Sequence, residues 1–145
     1  CALPISILLD VAHNPDSITK LAEYLQQHFA DKNWHLVFSC SQDKQVANML
    51  DILIDKFKSI TLTQFHNNPR AVDCDTLLEM AQQSAAQNRS NDTGILQADS
   101  DPVSAIAHIE QNADSADLIV IAGSFYVIAE CREQLIAKSK SNTKQ

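Results

Sequence analysis

Short apolar runs alternate along the chain with longer segments whose apolar residues recur every three or four positions. The clearest run is Asp117–Ala122 (DLIVIA), and another covers residues 5–11 (ISILLDV). Continuous apolar runs of this length are typical of buried strands in parallel sheets. Between the runs the apolar residues fall on one helical face, as at Ile18, Leu21 and Leu25. The pattern therefore predicts strands that alternate with helices.

The pattern predicts five strands and five helices in strict alternation. Strands are expected at residues 5–11, 34–40, 59–63, 94–97 and 117–122, and helices at residues 16–29 (capped by Asp16 or Ser17), 44–57, 76–87, 102–112 and 125–138. Such alternation implies crossover connections between parallel strands. The predicted fold class is α/β: a three-layer, Rossmann-like domain with a mostly parallel sheet of five or six strands and helices on both faces.

Composition narrows the class of protein. The chain has 145 residues, of which 45% are hydrophobic, as expected for one domain with one core. The net charge of −7 argues against a nucleic-acid-binding face, and no apolar run is long enough to span a membrane. With only two glycines, Gly94 and Gly123, the chain has neither a P-loop nor a dinucleotide-binding glycine motif.

The cysteines and histidines give no sign of a metal site. The four cysteines form no C-x-x-C pair, and His28, His35, His66 and His108 lack metal-ligand spacing. Cys40 and Cys131 lie in apolar stretches, where they are expected as core residues. Because no secretory signal is visible, we expect a cytoplasmic protein.

Ligands of parallel sheets bind where strands end, which selects three loops: residues 10–17, 64–75 and 122–126. In the first loop, Asp10 ends an apolar strand, His13 follows, and Asn14 precedes a proline. A carboxylate and an imidazole at such a crevice can bind a ribose, orient a phosphate or steer a metal-bound group. The alternative is that Asp10 and Asn14 only shape the turn into the helix.

The other two loops supply candidate anion-binding groups. Ser124 follows Gly123 and can cap the last helix, whose free N–H groups would receive a phosphate or a carboxylate. Arg70 lies in a polar loop and can grip either anion through two hydrogen bonds. The alternatives are a simple helix cap at Ser124 and a solvated cation at Arg70.

Together the three loops resemble one family. Residues 8–15 (LLDVAHNP) resemble the D-x-A-H-N-P signature that opens the C-terminal domain of folylpolyglutamate synthases and dihydrofolate synthases, members of the Mur ligase superfamily. Residues 69–71 (PRA) are similar to the family's P-R-A segment. Residues 117–126 (DLIVIAGSFY), followed by Glu130 and Arg132, resemble its final strand and helix. The resemblance covers residues 5–138, which would form one Mur ligase C-terminal domain.

The resemblance implies a function. These ligases use ATP and Mg²⁺ to convert a carboxylate of a folate or dihydropteroate into an acyl phosphate, which the amine of L-glutamate then attacks. ATP and Mg²⁺ are held mainly by a separate N-terminal P-loop domain of the same enzyme, so this chain alone is expected to be inactive. By resemblance, Asp10 and His13 act in catalysis and, with Asn14, contact ATP. Ser124 and Arg70 would bind substrate.

Several alternatives stay open. The chain could be a free-standing α/β ligand-binding module or the C-terminal domain of another Mur ligase. The family's Asp-Lys-Asp segment is only partly kept at Asp43 and Lys44, and that loop is assigned no role. Residues 1–4 are interpreted as a non-native leader, since residues 1–5 (CALPI) match what a common sequencing adapter encodes in one reading frame. Residues 139–145 are expected to form a polar, frayed tail.

Overall fold

The computed structural model describes residues 5–88 and 92–143, with the backbone alone at Asn142. Five strands and five helices alternate along these residues: β1 Ser6–Leu9, α1 Pro15–His28, β2 Asn33–Phe38, α2 Val46–Leu53, β3 Ser59–Leu62, α3 Cys74–Gln87, β4 Ile95–Ala98, α4 Pro102–Asn112, β5 Asp117–Ala122 and α5 Phe125–Asn142. The predicted alternation is confirmed. Residues 1–4 and 144–145, and most of the predicted turn at 88–92, lie outside the described residues.

All five strands are parallel and follow the order β1-β5-β2-β3-β4. β5 lies between β1 and β2, and its six residues are all buried, as expected of an apolar run covered on both faces. The three-layer α/β prediction is therefore confirmed, with five strands in the described sheet.

The helices divide unequally between the two faces of the sheet. Because successive strand residues point to opposite faces, alternate residues of β5 enter different cores. Leu118 and Val120 pack with α1, α2 and α3, whereas Ile119 and Ile121 pack with α4 and α5. The loops after β1 and β2 thus lead to one face, while the loop between them, after β5, leads to the other. This reversal opens a crevice at the carboxyl ends of these strands.

The first helix begins earlier than predicted. Asn14, and not Asp16 or Ser17, is its N-cap: the Asn14 side chain accepts the Ser17 N–H at 2.8 Å, and the Ser17 hydroxyl accepts the Asn14 N–H at 3.2 Å. Pro15 occupies the first helical turn, where its fixed φ suits a helix and its missing N–H removes no bond. The predicted turn at Asn14-Pro15 is therefore the helix start itself.

Other boundaries also differ from prediction. α2 spans Val46–Leu53 and not 44–57, because its last turn tightens: the Lys56 N–H donates to the Leu53 carbonyl three residues back. α5 continues past its predicted end at residue 138 to Asn142, into the segment expected to be frayed. Among the described residues, none of the helices combines the length and the apolar character that crossing a bilayer requires.

Candidate functional site

A cleft of about 350 Å³ lies at the carboxyl ends of the strands, where the loops described above lead to opposite faces of the sheet. Loops from four different strands contribute to it. Its lining residues are Val11, His13, Ser41, Asp43, Lys44, Arg70, Gly123, Ser124, Phe125 and Tyr126. Three of the five predicted site residues, His13, Arg70 and Ser124, therefore share one cleft, whereas Asp10 and Asn14 do not line it.

The β1–α1 loop gives His13 a defined tautomer. His13 Nδ1 lies 2.8 Å from the Val11 carbonyl oxygen, which can only accept a hydrogen bond. Nδ1 is therefore the donor, and in the neutral ring Nε2 carries a free lone pair. Because His13 is exposed at the cleft, Nε2 is available to accept a proton or a hydrogen bond from a ligand.

Asp10 and Asn14 shape the loop that carries His13. The Asp10 carboxylate accepts the Ala12 N–H at 2.8 Å, and the Asp10 N–H donates to the Ile121 carbonyl of the neighbouring strand. Asn14 caps α1 through its side-chain oxygen. Both side chains already have the local hydrogen bonds of the turn-shaping alternative, so contact with a ligand remains a prediction for them.

Gly123 brings the loops together tightly. Its φ is 108°, a backbone conformation that favours glycine, and its N–H donates to the Ala12 carbonyl at 2.9 Å. A Cβ at this position would lie 2.2 Å from the Ser39 carbonyl oxygen. Only glycine therefore lets the loops after β1, β2 and β5 meet at this point.

Ser124 is both the cap of α5 and part of the cleft. Its Oγ accepts the Tyr126 N–H at 3.1 Å, as predicted for a helix cap, and the residue is buried. The bond to Tyr126 uses the hydroxyl as an acceptor, which leaves its O–H to donate to an anion in the cleft.

The β2–α2 loop was assigned no role from sequence, yet it forms one wall of the cleft through Ser41, Asp43 and Lys44. The loop is joined to the segment that carries Arg70. The Gln42 N–H donates to the Arg70 carbonyl at 2.8 Å, and Ser41 and Ala71 form an antiparallel bridge. The available signal was the strand-end rule itself, which applies to β2 as much as to its neighbours.

Charge in the cleft favours an anionic ligand. Lys44 and Arg70 contribute two cations, against the single carboxylate of Asp43, which lies 3.7 Å from Lys44 Nζ. This donor set does not fit a magnesium site, since Mg²⁺ requires several oxygen ligands and Asp43 is already beside a cation. Elsewhere in the described chain, Asp73, Cys74 and Asp75 lie close enough together to hold a metal ion, but the Asp73 carboxylate already caps α3.

Three residues with hydroxyl or thiol side chains just beyond the carboxyl ends of β2 and β3 are buried: Ser39, Cys40 and Thr63. Burial, together with the nearby Asp43 charge, raises the pKa of the Cys40 thiol to about 12, so Cys40 is not a nucleophile at neutral pH. Just beyond the carboxyl ends of β2 and β3, the hydroxyls of Ser39 and Thr63 are the buried side-chain oxygens of the described chain that lack a hydrogen-bond partner.

Comparison with known proteins gives a consistent set of similarities. The family model described as Mur ligase, glutamate ligase domain, matches residues 2–125. A dihydrofolate synthase/folylpolyglutamate synthase of Bacillus subtilis is 33% identical over 129 residues, which are 89% of this chain and 27% of that protein. A probable bifunctional folylpolyglutamate synthase/dihydropteroate synthase of Haloferax volcanii is 28% identical over 88% of this chain and 14% of its own length. The chain thus spans about a quarter or less of these curated relatives.

Two solved structures of similar fold also match this chain over less than a third of their own length. FolC of E. coli, in complex with DHPP and ADP, superposes with a TM-score of 0.78 at 20% identity, over 96% of this chain and 31% of that one. A bifunctional folylpolyglutamate synthase/dihydrofolate synthase with Mn, AMPPNP and L-glutamate bound gives a TM-score of 0.72 at 25% identity, over 93% of this chain and 30% of that one.

Proposed function

The chain belongs to the family of Mur ligase glutamate ligase domains, and we propose that it is the C-terminal domain of an ATP-dependent enzyme. This enzyme would add L-glutamate to folate or dihydropteroate. The observation that carries this proposal is the meeting of His13, Arg70 and Ser124 at one cleft. These residues come from three separated loops and offer an imidazole, a guanidinium and a hydroxyl. A dicarboxylate with an amine is a ligand of matching chemistry.

In the proposed reaction, the terminal phosphate of ATP is transferred to a carboxylate of the folate or dihydropteroate. The glutamate amine then attacks the acyl carbon, and an amide, ADP and phosphate are produced. The two cations, Lys44 and Arg70, would bind the glutamate carboxylates, with the Ser124 hydroxyl as a further donor. Held in this way, the amine would lie in line with the acyl phosphate, and such orientation of the reacting groups lowers the barrier to attack.

His13 is proposed to act at the amine. Its free Nε2 can accept a proton that the glutamate ammonium must lose before attack. Asp10 would hold the loop in place and, with His13 and Asn14, contact ATP. No step is assigned to Mg²⁺ on this chain, because the cleft lacks a suitable set of oxygen ligands; the ion would be held by the rest of the enzyme.

The proposed partner is an N-terminal P-loop domain of the same enzyme. Two large apolar side chains at the cleft support this: Val11 is 54% exposed and Phe125 is 66% exposed. Closure of a second domain over the cleft would cover both side chains and exclude water, which would otherwise hydrolyse an acyl phosphate. The cytoplasmic location predicted from sequence remains a prediction.

The test measures ADP formation by the complete enzyme that contains this chain, with and without L-glutamate, on dihydropteroate and on tetrahydrofolate. We expect glutamate-dependent ADP formation from the complete enzyme and none from the 145-residue chain alone. Ligation of a different amino acid would instead indicate another Mur ligase. A native protein without a P-loop domain would favour the free-standing binding module.

A further inference from the structure

The loop that carries Arg70 is the longest of the loops that line the cleft. It has no secondary structure of its own apart from one bridge residue. It comprises residues 63–73, between β3 and α3, and we refer to it as the Arg70 loop. Arg70 itself is exposed at the cleft. A loop of this length positions a binding group only if other elements fix its backbone.

One side of the Arg70 loop is held by the β2–α2 loop. The Gln42 N–H donates to the Arg70 carbonyl at 2.8 Å, and the Val72 N–H donates to the Cys40 carbonyl at 3.0 Å. These bonds fix the end of the loop that leads into α3. The part that leaves β3 needs a different anchor.

That second anchor is Glu130 on α5. Its Oε1 accepts the backbone N–H groups of His66 and of Asn67, the latter at 2.9 Å, and its Oε2 lies 3.5 Å from His66 Nδ1. Next to these bonds, the ring of the buried Phe65 lies 5.1 Å from the ring of Tyr126, between centroids. One carboxylate thus holds two successive amides of the Arg70 loop against α5.

The anchor connects two parts of the cleft. α5 begins at the Ser124 cap and contributes Tyr126 to the lining, while the Arg70 loop contributes the guanidinium. Residues 66–67 lead directly into the turn in which the Asn68 side chain accepts the Arg70 N–H at 2.9 Å. A shift of these two residues away from α5 is therefore expected to move this turn, and with it the Arg70 side chain, relative to Ser124. We propose that Glu130 is a positioning residue, which fixes the distance between the hydroxyl and the guanidinium that bind the substrate anion.

The alternative is that Glu130 only contributes to stability. His66 and Asn67 are both exposed, so water can satisfy their N–H groups when the carboxylate is removed. The loss of Glu130 should therefore loosen the loop more than it destabilises the fold. This distinguishes a positioning role from a structural one.

The kinetic test rests on the proposed function and uses the complete enzyme. Glu130→Ala should raise the KM for glutamate about tenfold and leave kcat within about twofold, because it misplaces a binding group. Glu130→Gln keeps an oxygen at the same position and should restore the KM to within about twofold of the unaltered enzyme. Glu133→Ala is the matched control, since Glu133 is an exposed glutamate of the same helix.

A second test does not depend on ligase activity. Amide hydrogen exchange on the 145-residue chain should show His66 and Asn67 protected by at least about tenfold, a protection lost in Glu130→Ala and kept in Glu130→Gln and Glu133→Ala. Unprotected amides in the unaltered chain would overturn the proposal even if Glu130→Ala failed to fold. Protected amides with an unchanged glutamate KM in Glu130→Ala would also overturn it. A complete enzyme without ligase activity, but with the expected exchange pattern, would refute the proposed function and leave the anchor standing.

Discussion

The polar side chains at the two ends of the sheet differ in how far their hydrogen bonds are satisfied within the chain. At the amino end, the half-buried His35 of β2 bonds to both neighbouring strands: Nδ1 lies 2.8 Å from Ser59 Oγ on β3, and Nε2 lies 2.9 Å from Asp117 Oδ1 on β5. At the carboxyl end, His13 makes one bond, to its own loop, and exposes its other ring nitrogen to the cleft. Both sites combine an imidazole with carboxylates and hydroxyls, but only the amino-end group is complete within itself.

This difference separates structural from ligand-binding polar groups. Asp117, His35 and Ser59 use their buried hydrogen-bonding capacity on one another and on the backbone, so they hold three strands together. The cleft at the other end leaves capacity unused, at His13 Nε2 and at the Ser124 O–H. Substitutions at the two ends should therefore affect different quantities: stability at one, ligand binding and turnover at the other.

The largest expected effect is on folding stability, at the glycine where the loops of the cleft meet. Gly123→Ala should lower the free energy of unfolding by about 3 kcal/mol, because the new Cβ would meet the Ser39 carbonyl and the backbone has a positive φ. Urea unfolding followed by circular dichroism measures it. Ala30→Val, at an exposed turn, is the control and should change stability by less than about 0.5 kcal/mol. A Gly123→Ala variant as stable as the unaltered chain would contradict the tight meeting of the loops.

Asp117→Ala tests the amino end. It should cost about 2 kcal/mol of unfolding free energy, since His35 and the Asp114 N–H lose a buried acceptor, while the glutamate KM of the complete enzyme stays unchanged. Asp31→Ala removes an exposed carboxylate and is the matched control. A raised glutamate KM in Asp117→Ala would show that the two ends are coupled, against the separation argued above.

The carboxyl end should show the reverse behaviour. Asp10→Ala and His13→Ala should each reduce glutamate ligation at least tenfold, which is about 1.4 kcal/mol of transition-state stabilisation. Little loss of folding stability is expected in His13→Ala, because His13 is exposed. Steady-state kinetics of the complete enzyme measure this. His28→Ala, an exposed histidine at the far end of α1, serves as the control. Unaltered rates in both variants would remove these residues from the site.

Ser124 can be divided into its two roles. Ser124→Ala should cost about 1 kcal/mol through the lost helix cap and should raise the glutamate KM. Ser124→Gly, which caps almost as well, should recover most of the stability but not the KM. Asp101→Ala removes the cap of α4 away from the cleft and should change stability alone. A normal KM in Ser124→Gly would reduce Ser124 to a helix cap.

The smallest expected effect is a dependence on acid. Burial by itself raises the pKa of the Asp117 carboxyl, but hydrogen bonds from the Asp114 N–H and His35, with attraction from His35 and Lys58, hold the pKa below its ordinary value. Stability from this group is thus present above about pH 4 and is lost as the pH falls through the lowered pKa. Asp117→Asn should flatten that acid-dependent loss in unfolding experiments between about pH 5 and pH 2. An equally steep loss would assign it to other carboxylates.

The fold was largely readable from local patterns. β5 was predicted to the residue because an apolar run with a polar residue before it and a glycine after it has few alternatives. The start of α1 was missed because Asn14-Pro15 is compatible with a turn as well as with a cap and first helical turn. This boundary failed because the same dipeptide suits two structures.

The site was less readable, because its arrangement depends on contacts distant in the chain. The bond from Gln42 to Arg70, which brings two loops together, and the bond from Glu130 to Asn67, 63 residues apart, leave no periodic signal. The same holds for His35 and Asp117, which are 82 residues apart. Local pattern identified residues at strand ends, but it could not tell which of them face a common space.

The buried thiols make each helix layer separately observable. Cys40 belongs to the core beneath α1, α2 and α3, and Cys131 to the core beneath α4 and α5. Burial is the main reason why both thiols have a pKa raised to about 12, with nearby carboxylates adding to it. At neutral pH only about one such thiol in 10⁵ is ionised, so an alkylating reagent reacts with each when its layer opens. Mass-resolved labelling at the two positions would time the opening of the two layers independently.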